Sequence, residues 1–487
     1  MRFGFRHSYA ALPSRFYARV TPTPVANPRL IVLNAALAEE LDLDLRVLEP
    51  TAAALFSGNV LPEDADPIAM AYAGHQFGVF VPSLGDGRAI LLGELEGQVL
   101  RDLQLKGAGH TPFSRNGDGR AVVGPMLREY LVSEAMHALG VPTTRSLAVV
   151  ATGEQVFRDG ASLPGAILTR VAASHVRVGT FQYFAARGDE EAVRRLLEYV
   201  IERHYPAARD AAVPPLALLR AVTERQVALV ADWMMVGFIH GVMNTDNMAI
   251  SGETLDYGPC AFMDNYHAGR VFSSIDQGGR YAYANQPPIA QWNLERFAET
   301  LLFLIDPDPE KAVALATEVL EPCTEGFNAR FLAGMRRKIG LSSDADGDAA
   351  LIKRLLSTMQ QAEADFTLTF RELTRVAENS AETPRLRELF AGSPELDGWL
   401  ENWQARLASD PQSITERVAS MRAANPAFIP RNHRVQAALD AADCGDYTLF
   451  RKLLGILRQP YDDQPEFREY ALPPEPSERV LQTFCGT

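Results

Sequence analysis

The sequence predicts an α+β fold, with a mixed region up to about residue 290 and a mostly helical region from 291 to 487. Three observations predict this. Residues 85–180 are rich in glycine and carry short alternating β-like runs. Residues 215–243 form one long stretch with helical periodicity. Beyond 290 that periodicity recurs over 293–305, 309–320, 349–376, 394–408 and 434–457.

Composition sets the limits. A chain of 487 residues suggests about three domains. Its 47% hydrophobic and 22% charged residues suffice to bury a core. The net charge of −14 argues against nucleic acid as a partner, because the overall field repels phosphates. It leaves room for an anion in a locally basic pocket. Cys260, Cys323, Cys444 and Cys485 form no CxxC, which excludes a zinc ribbon or disulfide scaffold and fits a reducing compartment. Cys485, close to the end of the chain, is the one candidate for a redox role. No apolar run is long enough to cross a bilayer; the best, 227–243, is broken by Asp232 and His240. No secretory signal is visible. A cytoplasmic protein without a membrane partner is therefore expected. Arg2, Arg6, Arg15 and Arg19 precede the first acid, Glu39, but Pro22, Pro24 and Pro28 interrupt any amphipathic helix there. A mitochondrial location is expected only for a eukaryotic source.

In chain order, residues 1–80 read as an extended arm, a helix near 34–41, and loops. Gly85 and Gly87 then flank a turn before Arg88 and an apolar run; glycines let backbone approach phosphates, although a plain hairpin turn is the simpler reading. Leu103-Gln104-Leu105-Lys106 alternates as a strand, with Gln104 and Lys106 on one face. From 103 to 128, Lys106, Arg115, Arg120 and Arg128 face a single acid, Asp118, among several glycines, a composition suited to a polyphosphate. Pro125, Gly140 and Pro142 punctuate the next helix, and Glu129 lies off its apolar stripe. In protein kinases a strand lysine pairs with a glutamate of the following helix, which predicts an ion pair between Lys106 and Glu129. Further on, alternation in 166–171 puts Arg170 on the face of Ala166 and Leu168, and Arg177 follows seven residues on; both suit bidentate phosphate binding.

The segment His240-Gly241-Val242-Met243-Asn244-Thr245-Asp246-Asn247 is expected to close the long helix. Small-molecule kinases carry His-Gly-Asp here, with a metal-binding asparagine five residues after the aspartate. Val242 fills the base position and cannot take a proton, whereas Asn247 keeps the metal position and Asp246 supplies a carboxylate beside it. Leu255-Asp256-Tyr257-Gly258 stands where Asp-Phe-Gly would. A two-residue turn at Ser251-Gly252 would set Asn247 opposite Asp256, roughly 5 Å apart across a hairpin. Hard oxygens at that spacing suit Mg²⁺ or Mn²⁺ on phosphates.

These stretches resemble the selenoprotein O family, kinase-fold proteins described as protein adenylyltransferases. The matching residues include Ala71-Tyr-Ala-Gly-His-Gln-Phe-Gly78, Arg115-Asn-Gly-Asp-Gly-Arg120, Asn244-Thr-Asp-Asn-Met248, Gly279-Arg-Tyr281 and Pro426-Ala-Phe-Ile-Pro-Arg-Asn-His433. The resemblance implies a protein-kinase-like bilobal fold. Its parts would be an N-terminal extension (1–80), a phosphate-binding N-lobe (81–180), a C-lobe core with the catalytic and metal loop (181–290) and a mostly helical C-terminal region (291–487). It implies that Gly85, Gly87, Arg88, Lys106, Asp118, Gly119, Arg170 and Arg177 contact ATP, that Asp246 accepts the proton, and that Asn247 and Asp256 bind the metal. ATP would sit inverted, so that AMP passes to Ser, Thr or Tyr hydroxyls of proteins and pyrophosphate leaves. UMP transfer, phosphotransfer in the same pocket and a non-catalytic nucleotide-binding scaffold are the alternatives. Some family members pair a tail cysteine with one in the activation-like segment. This chain has Phe272 and no cysteine between Asp264 and Tyr283, so Cys260 is the nearest remaining partner for Cys485.

Overall fold

The computed structural model describes residues 1–97, 99–158 and 160–484. Its strands are β1 (Tyr17–Arg19), β2 (Arg29–Leu33), β3 (Ile68–Met70), β4 (Gly74–Gln76), β5 (Val79–Val81), β6 (Ala89–Glu96), β7 (Leu100–Lys106), β8 (Arg145–Arg158), β9 (Ala161–Ala172), β10 (Phe238–Ile239) and β11 (Ala261–Phe262). Seven form one antiparallel sheet in the order β1-β3-β6-β7-β9-β8-β2. The mixed α and β content of the expectation is therefore present, with helices dominating beyond residue 286.

The parts of residues 1–80 expected as an extended arm and loops are not irregular. They supply β1, β2 and β3, and both edges of the sheet, β1 and β2, come from them. Three- and five-residue strands among prolines carry too little alternation to announce themselves. The short helix Ala35–Glu40 does form, capped by the Asn34 side chain accepting from Leu37 N at 3.3 Å.

The register of the central strands decides which side chains meet. β7 pairs with β6 through Ala89 and Lys106, and with β9 through Gln104 and Arg170. Directly opposed residues share a face, so Gln104, Lys106 and Arg170 point the same way. Leu103 and Leu105 point to the other face and are fully buried there with Leu92, Leu147 and Ile167. The helix Val123–Ala138 crosses the sheet and is gripped from behind. Its Met126, Leu127, Tyr130 and Leu131 share one core with Val149 and Leu168 of the sheet and with Leu439, Phe450 and Leu453 of the C-terminal helices Asn432–Asp443 and Thr448–Leu457. Packing on both sides fixes the rotation of Glu129 about the helix axis.

The long helix runs Pro214–Met235 and stops short of His240. Gly237 takes a left-handed φ of +71°, and the chain turns into β10, which pairs with β11. Three expected helices are each split in two, the one over 293–305 breaking between Glu299 and Leu302. Asp365 caps a new helix, Phe366–Glu378, by accepting from Leu368 N, so 349–376 divides after Gln361. The helix expected over 434–457 breaks at Gly445, where φ is +85°. The helix expected from 293 begins at Gln286. Helices Cys323–Lys338 and Ile414–Ala424 were not expected. Among the described residues no helix is long and apolar enough to cross a membrane.

Candidate active site

The loop between β5 and β6 is not a plain hairpin turn. Leu84 N and Gly85 N both donate to Tyr72 O, at 2.9 and 3.1 Å. Gly85 has φ +69°, and a Cβ there would overlap the Phe113 ring. The loop is nailed down from below by buried Asp86, which accepts from Met70 N (3.1 Å) and Gln104 Nε2 (3.2 Å). A second loop, 107–119, folds onto the first: Thr111 Oγ1 donates to Asp86 O at 2.7 Å and Ser114 Oγ donates to Gly87 O. Gly119 is left-handed at φ +71°, where a Cβ would overlap the Gly109 backbone. Two glycine-bearing loops are thus stacked with their backbones close together.

They roof a cleft of about 280 Å³, near the lower end of ligand-site volumes. Gly85, Gly87, Arg88 and Gly119 line its upper wall, and Lys106, Arg170 and Arg177 its depth. Asp118 lines the rim, where its carboxylate is tied to Arg158 at 2.6 Å. Asp246 and Asp256 line the opposite wall. With Arg115 and Arg120, twelve residues singled out from the sequence, spread from position 85 to 256, therefore share one cavity.

A compact ion network forms the floor. Lys106 Nζ donates to Glu129 Oε2 at 2.7 Å and also to Asp256 Oδ1. Arg170 Nε donates to Glu129 Oε1 at 2.7 Å, and its other arm reaches Asp256 Oδ1 at 3.2 Å. The expected pairing of Lys106 with Glu129 is present. Both are buried, and each carboxylate bridges two cations. Burial raises the Glu129 carboxyl, but Arg170 and Lys106 outweigh it and hold the group below the usual range. For Asp256, burial is likewise outweighed by Lys106, Arg170 and Arg177, and its carboxyl is held well below the ordinary value. Arg177 lies 4.5 Å over the Tyr72 ring and donates to Asp246 O at 2.8 Å, while its buried Nε has no partner among the described residues.

Asp246 sits in a short 3₁₀ turn, Thr245–Asn247, held by Thr245 Oγ1 donating to Gln182 Oε1 at 2.6 Å. Burial pushes its carboxyl up to about 6, against the pull of Arg177. Gln76 hydrogen-bonds this carboxylate, but the buried Oδ1 has no partner among the described residues. Asn247 does not line the cleft; its amide nitrogen donates to Val242 O at 3.1 Å.

The expected hairpin between Asn247 and Asp256 is not formed. A single bridge joins Met248 to Thr254, one residue out of the expected register. Each arm pairs elsewhere: Ala249 with Arg177, and Thr254 with Thr143. These tertiary bridges override the local turn. Asp256 reaches the cleft instead through a left-handed backbone, φ +68°, which costs a non-glycine residue roughly 1 kcal/mol or more. About a third of its side chain remains open to the cavity.

The residues fit a hard divalent cation. Asp256 offers a partly open carboxylate and Asp246 an unpartnered oxygen, both lining the cleft. Among the described residues no cluster of three His, Cys, Asp or Glu side chains forms a complete cage. An ion here would complete its shell from phosphates and water, as Mg²⁺ commonly does.

Sequence reasoning gave no role to Tyr72, Gln76 or Asp86. Asp86, between Gly85 and Gly87, was the available signal, because an acid inside a glycine turn suggests a backbone anchor. Cys260 is fully buried and its thiol is pushed up to about 11 by that burial, which makes it a poor redox partner. Cys485 lies outside the described residues.

The chain is also similar to known proteins along nearly its whole length. The family model described as "Protein adenylyltransferase SelO" matches residues 1–458. "Protein nucleotidyltransferase YdiU" of Rhizobium meliloti (strain 1021) is 62% identical over 488 residues, covering 100% of this chain and 99% of the relative. The protein of the same name from Bradyrhizobium sp. (strain ORS 278) is 60% identical over 491 residues, covering both chains completely. With a match across nearly the whole chain and full-length identity of this order, the protein belongs to the SelO family of protein nucleotidyltransferases.

Proposed function

We propose that this protein transfers AMP from ATP to a Ser, Thr or Tyr hydroxyl of another protein, releasing pyrophosphate. The observation that carries the reading is the meeting, in one cleft, of Lys106 bonded to both Glu129 and Asp256 with the buried, unpartnered oxygen of Asp246. The arrangement fits a protein-kinase-like bilobal fold, with residues 81–180 as N-lobe, 181–290 as C-lobe core, 1–80 as an N-terminal extension and 291–487 as a helical C-terminal region.

Asp246 accepts the hydroxyl proton as the oxygen attacks the α-phosphorus and the bond to the β-phosphate oxygen breaks. A carboxyl pushed up to about 6 is still mostly ionised at neutral pH, yet basic enough to take a proton in the transition state. Lys106, Arg88, Arg170 and Arg177 hold the phosphates and offset the charge that gathers on departing pyrophosphate. The network formed by Glu129 and Asp256 holds two of these cations in place before substrate arrives. Gly85, Gly87 and Gly119 let backbone approach the nucleotide, and Asp118 meets it at the rim. Asn247 and Asp256 would hold Mg²⁺ or Mn²⁺, which would neutralise phosphate charge.

Val242, at the kinase base position, disfavours phosphotransfer, because an alkyl side chain accepts no proton. UMP transfer from UTP would use the same groups. A cytoplasmic location accords with the bacterial relatives. The test is ATP labelled separately at the α and γ positions, incubated with lysate and a divalent metal. Label entering protein only from the α position is expected; label only from the γ position overturns the reading, and no label from either favours a scaffold.

A further inference from the structure

One wall of the cleft beside Asp246 is the β4–β5 hairpin, and its backbone rests on the catalytic turn. His75 N donates to Thr245 Oγ1 at 2.7 Å, Phe77 N donates to Asn244 Oδ1 at 3.0 Å, and a Cβ on Gly74 would fall 2.6 Å from Asp246 Oδ1. At the hairpin tip, Gly78 faces the Arg280 guanidinium, which lies 3.7 Å from the point a Cβ would occupy. With about 3.3 Å per residue along a strand, the four steps from Gly74 to Gly78 put tip and carboxylate at most about 13 Å apart.

Arg280 is held as a prepared cation. It lies over the Trp292 indole at 4.8 Å and over Tyr281 at 5.7 Å, and Arg296 lies over the same indole at 5.0 Å. Tyr281 is itself fixed to the catalytic segment by donating to Asn244 Oδ1 at 2.6 Å. The nearby acid, Asp276, spends both oxygens on the backbone, accepting from Arg280 N and Tyr281 N. No carboxylate among the described residues pairs with the Arg280 side chain, whereas Arg296 shares the exposed Glu299 at 2.7 Å. Burial, Arg296 and Arg280 together hold His75 below the usual imidazole range. In a chain of net charge −14 this is a locally cationic patch on the acceptor side of the cleft, and Arg280 is not part of the nucleotide-facing wall.

The geometry points to this patch as the recognition site for an acidic side chain of the protein substrate, roughly three residues from the hydroxyl that receives the nucleotide, with Arg280 as the specificity-determining contact. The inference rests on the proposed transfer reaction. A guanidinium already stacked on aromatic rings loses little freedom when it binds, and its fork matches a carboxylate in two parallel hydrogen bonds. The interaction anchors the substrate without touching the reacting atoms, so it should act on KM rather than kcat.

The test uses the full chain, α-labelled ATP and synthetic peptides with one acceptor hydroxyl and Glu, Gln or Lys placed three residues before or after it. Wild type is expected to show a KM at least tenfold lower for a Glu peptide than for its Lys counterpart, with kcat within about twofold. Arg280→Gln should erase that preference while still modifying the Gln peptide, and Arg280→Glu should favour the Lys peptide. The inverted preference is a result that simple loss of folding could not give. Equal KM for Glu and Lys peptides in wild type, or an undiminished Glu preference in Arg280→Gln, overturns the inference and leaves the transfer reaction standing. Absence of transfer to any peptide or protein by wild type overturns both.

Discussion

Two buried lysines separate the site from the helical region that supports it. Lys106 is 6% exposed and meets two carboxylates, Glu129 and Asp256. Lys338, at the end of helix Cys323–Lys338, is 2% exposed and meets none among the described residues. Its ammonium has the Ala424 carbonyl at 3.4 Å and lies 4.5 Å over the Phe370 ring and 5.6 Å over Phe366. Burial lowers its pKa to about 7. A buried charge is retained at full strength where opposite charge surrounds it, and is suppressed where only dipoles and rings do. The cleft therefore surrounds its buried cations with carboxylates, which the helical region does not do for Lys338.

The sharpest way to break the network is to remove its open member. Asp256→Ala takes away the carboxylate shared by Lys106 and Arg170 and one proposed metal oxygen at once. Transfer of α-label should become undetectable, and retained turnover would overturn the metal assignment. Next in size is Asp246→Asn, which keeps the shape and removes the proton acceptor. The expected loss in kcat is about 10²–10⁴-fold, with nucleotide affinity by calorimetry nearly unchanged.

How far the network was legible follows from what positions each member. Lys106 and Arg170 sit on strands and Glu129 on a helix with clear punctuation, so periods of 2 and 3.6 residues carry their directions from sequence to space. Asp256 lies in irregular chain whose course is set by bridges to Thr143 and Arg177, residues far away in sequence. No local rule reveals those bridges, and the expected hairpin failed for that reason while the residue itself still reached the cleft. The edge strands β1 and β2 were illegible because their periods are too short to detect. Asp365 was readable in hindsight, since an aspartate three residues before a leucine in a helical run is an N-cap signature.

A third variant tests the hidden member. Glu129→Gln leaves Lys106 and Arg170 sharing only Asp256. Breaking a buried ion pair from one side costs about 3–5 kcal/mol, so the melting temperature should fall by several degrees while folding is retained. Activity should fall less than in Asp256→Ala, because the open carboxylate remains. An unchanged melting temperature would show that the pair adds nothing to the fold.

The smallest expected effect lies on the other side of the comparison. Replacing Lys338 by Met keeps length and apolar volume and removes the charge that the helical core cannot pair. Stability should rise by roughly 1–4 kcal/mol, as when other buried charges are exchanged for apolar groups. The pH dependence gives the sign. A lysine in the unfolded chain titrates near 10.4, and the folded one near 7, so between these values the unfolded state binds more protons. The wild-type protein should therefore gain stability from this residue as pH rises from about 7 to 10. Below 7 the full cost is present and no longer changes. The advantage of Lys338→Met should accordingly be greatest at pH 7 and shrink towards pH 10, a difference that thermal melts of the two proteins side by side would resolve. An advantage independent of pH would mean that the ammonium stays charged throughout, stabilised by Phe366, Phe370 and the Ala424 carbonyl more strongly than burial opposes it.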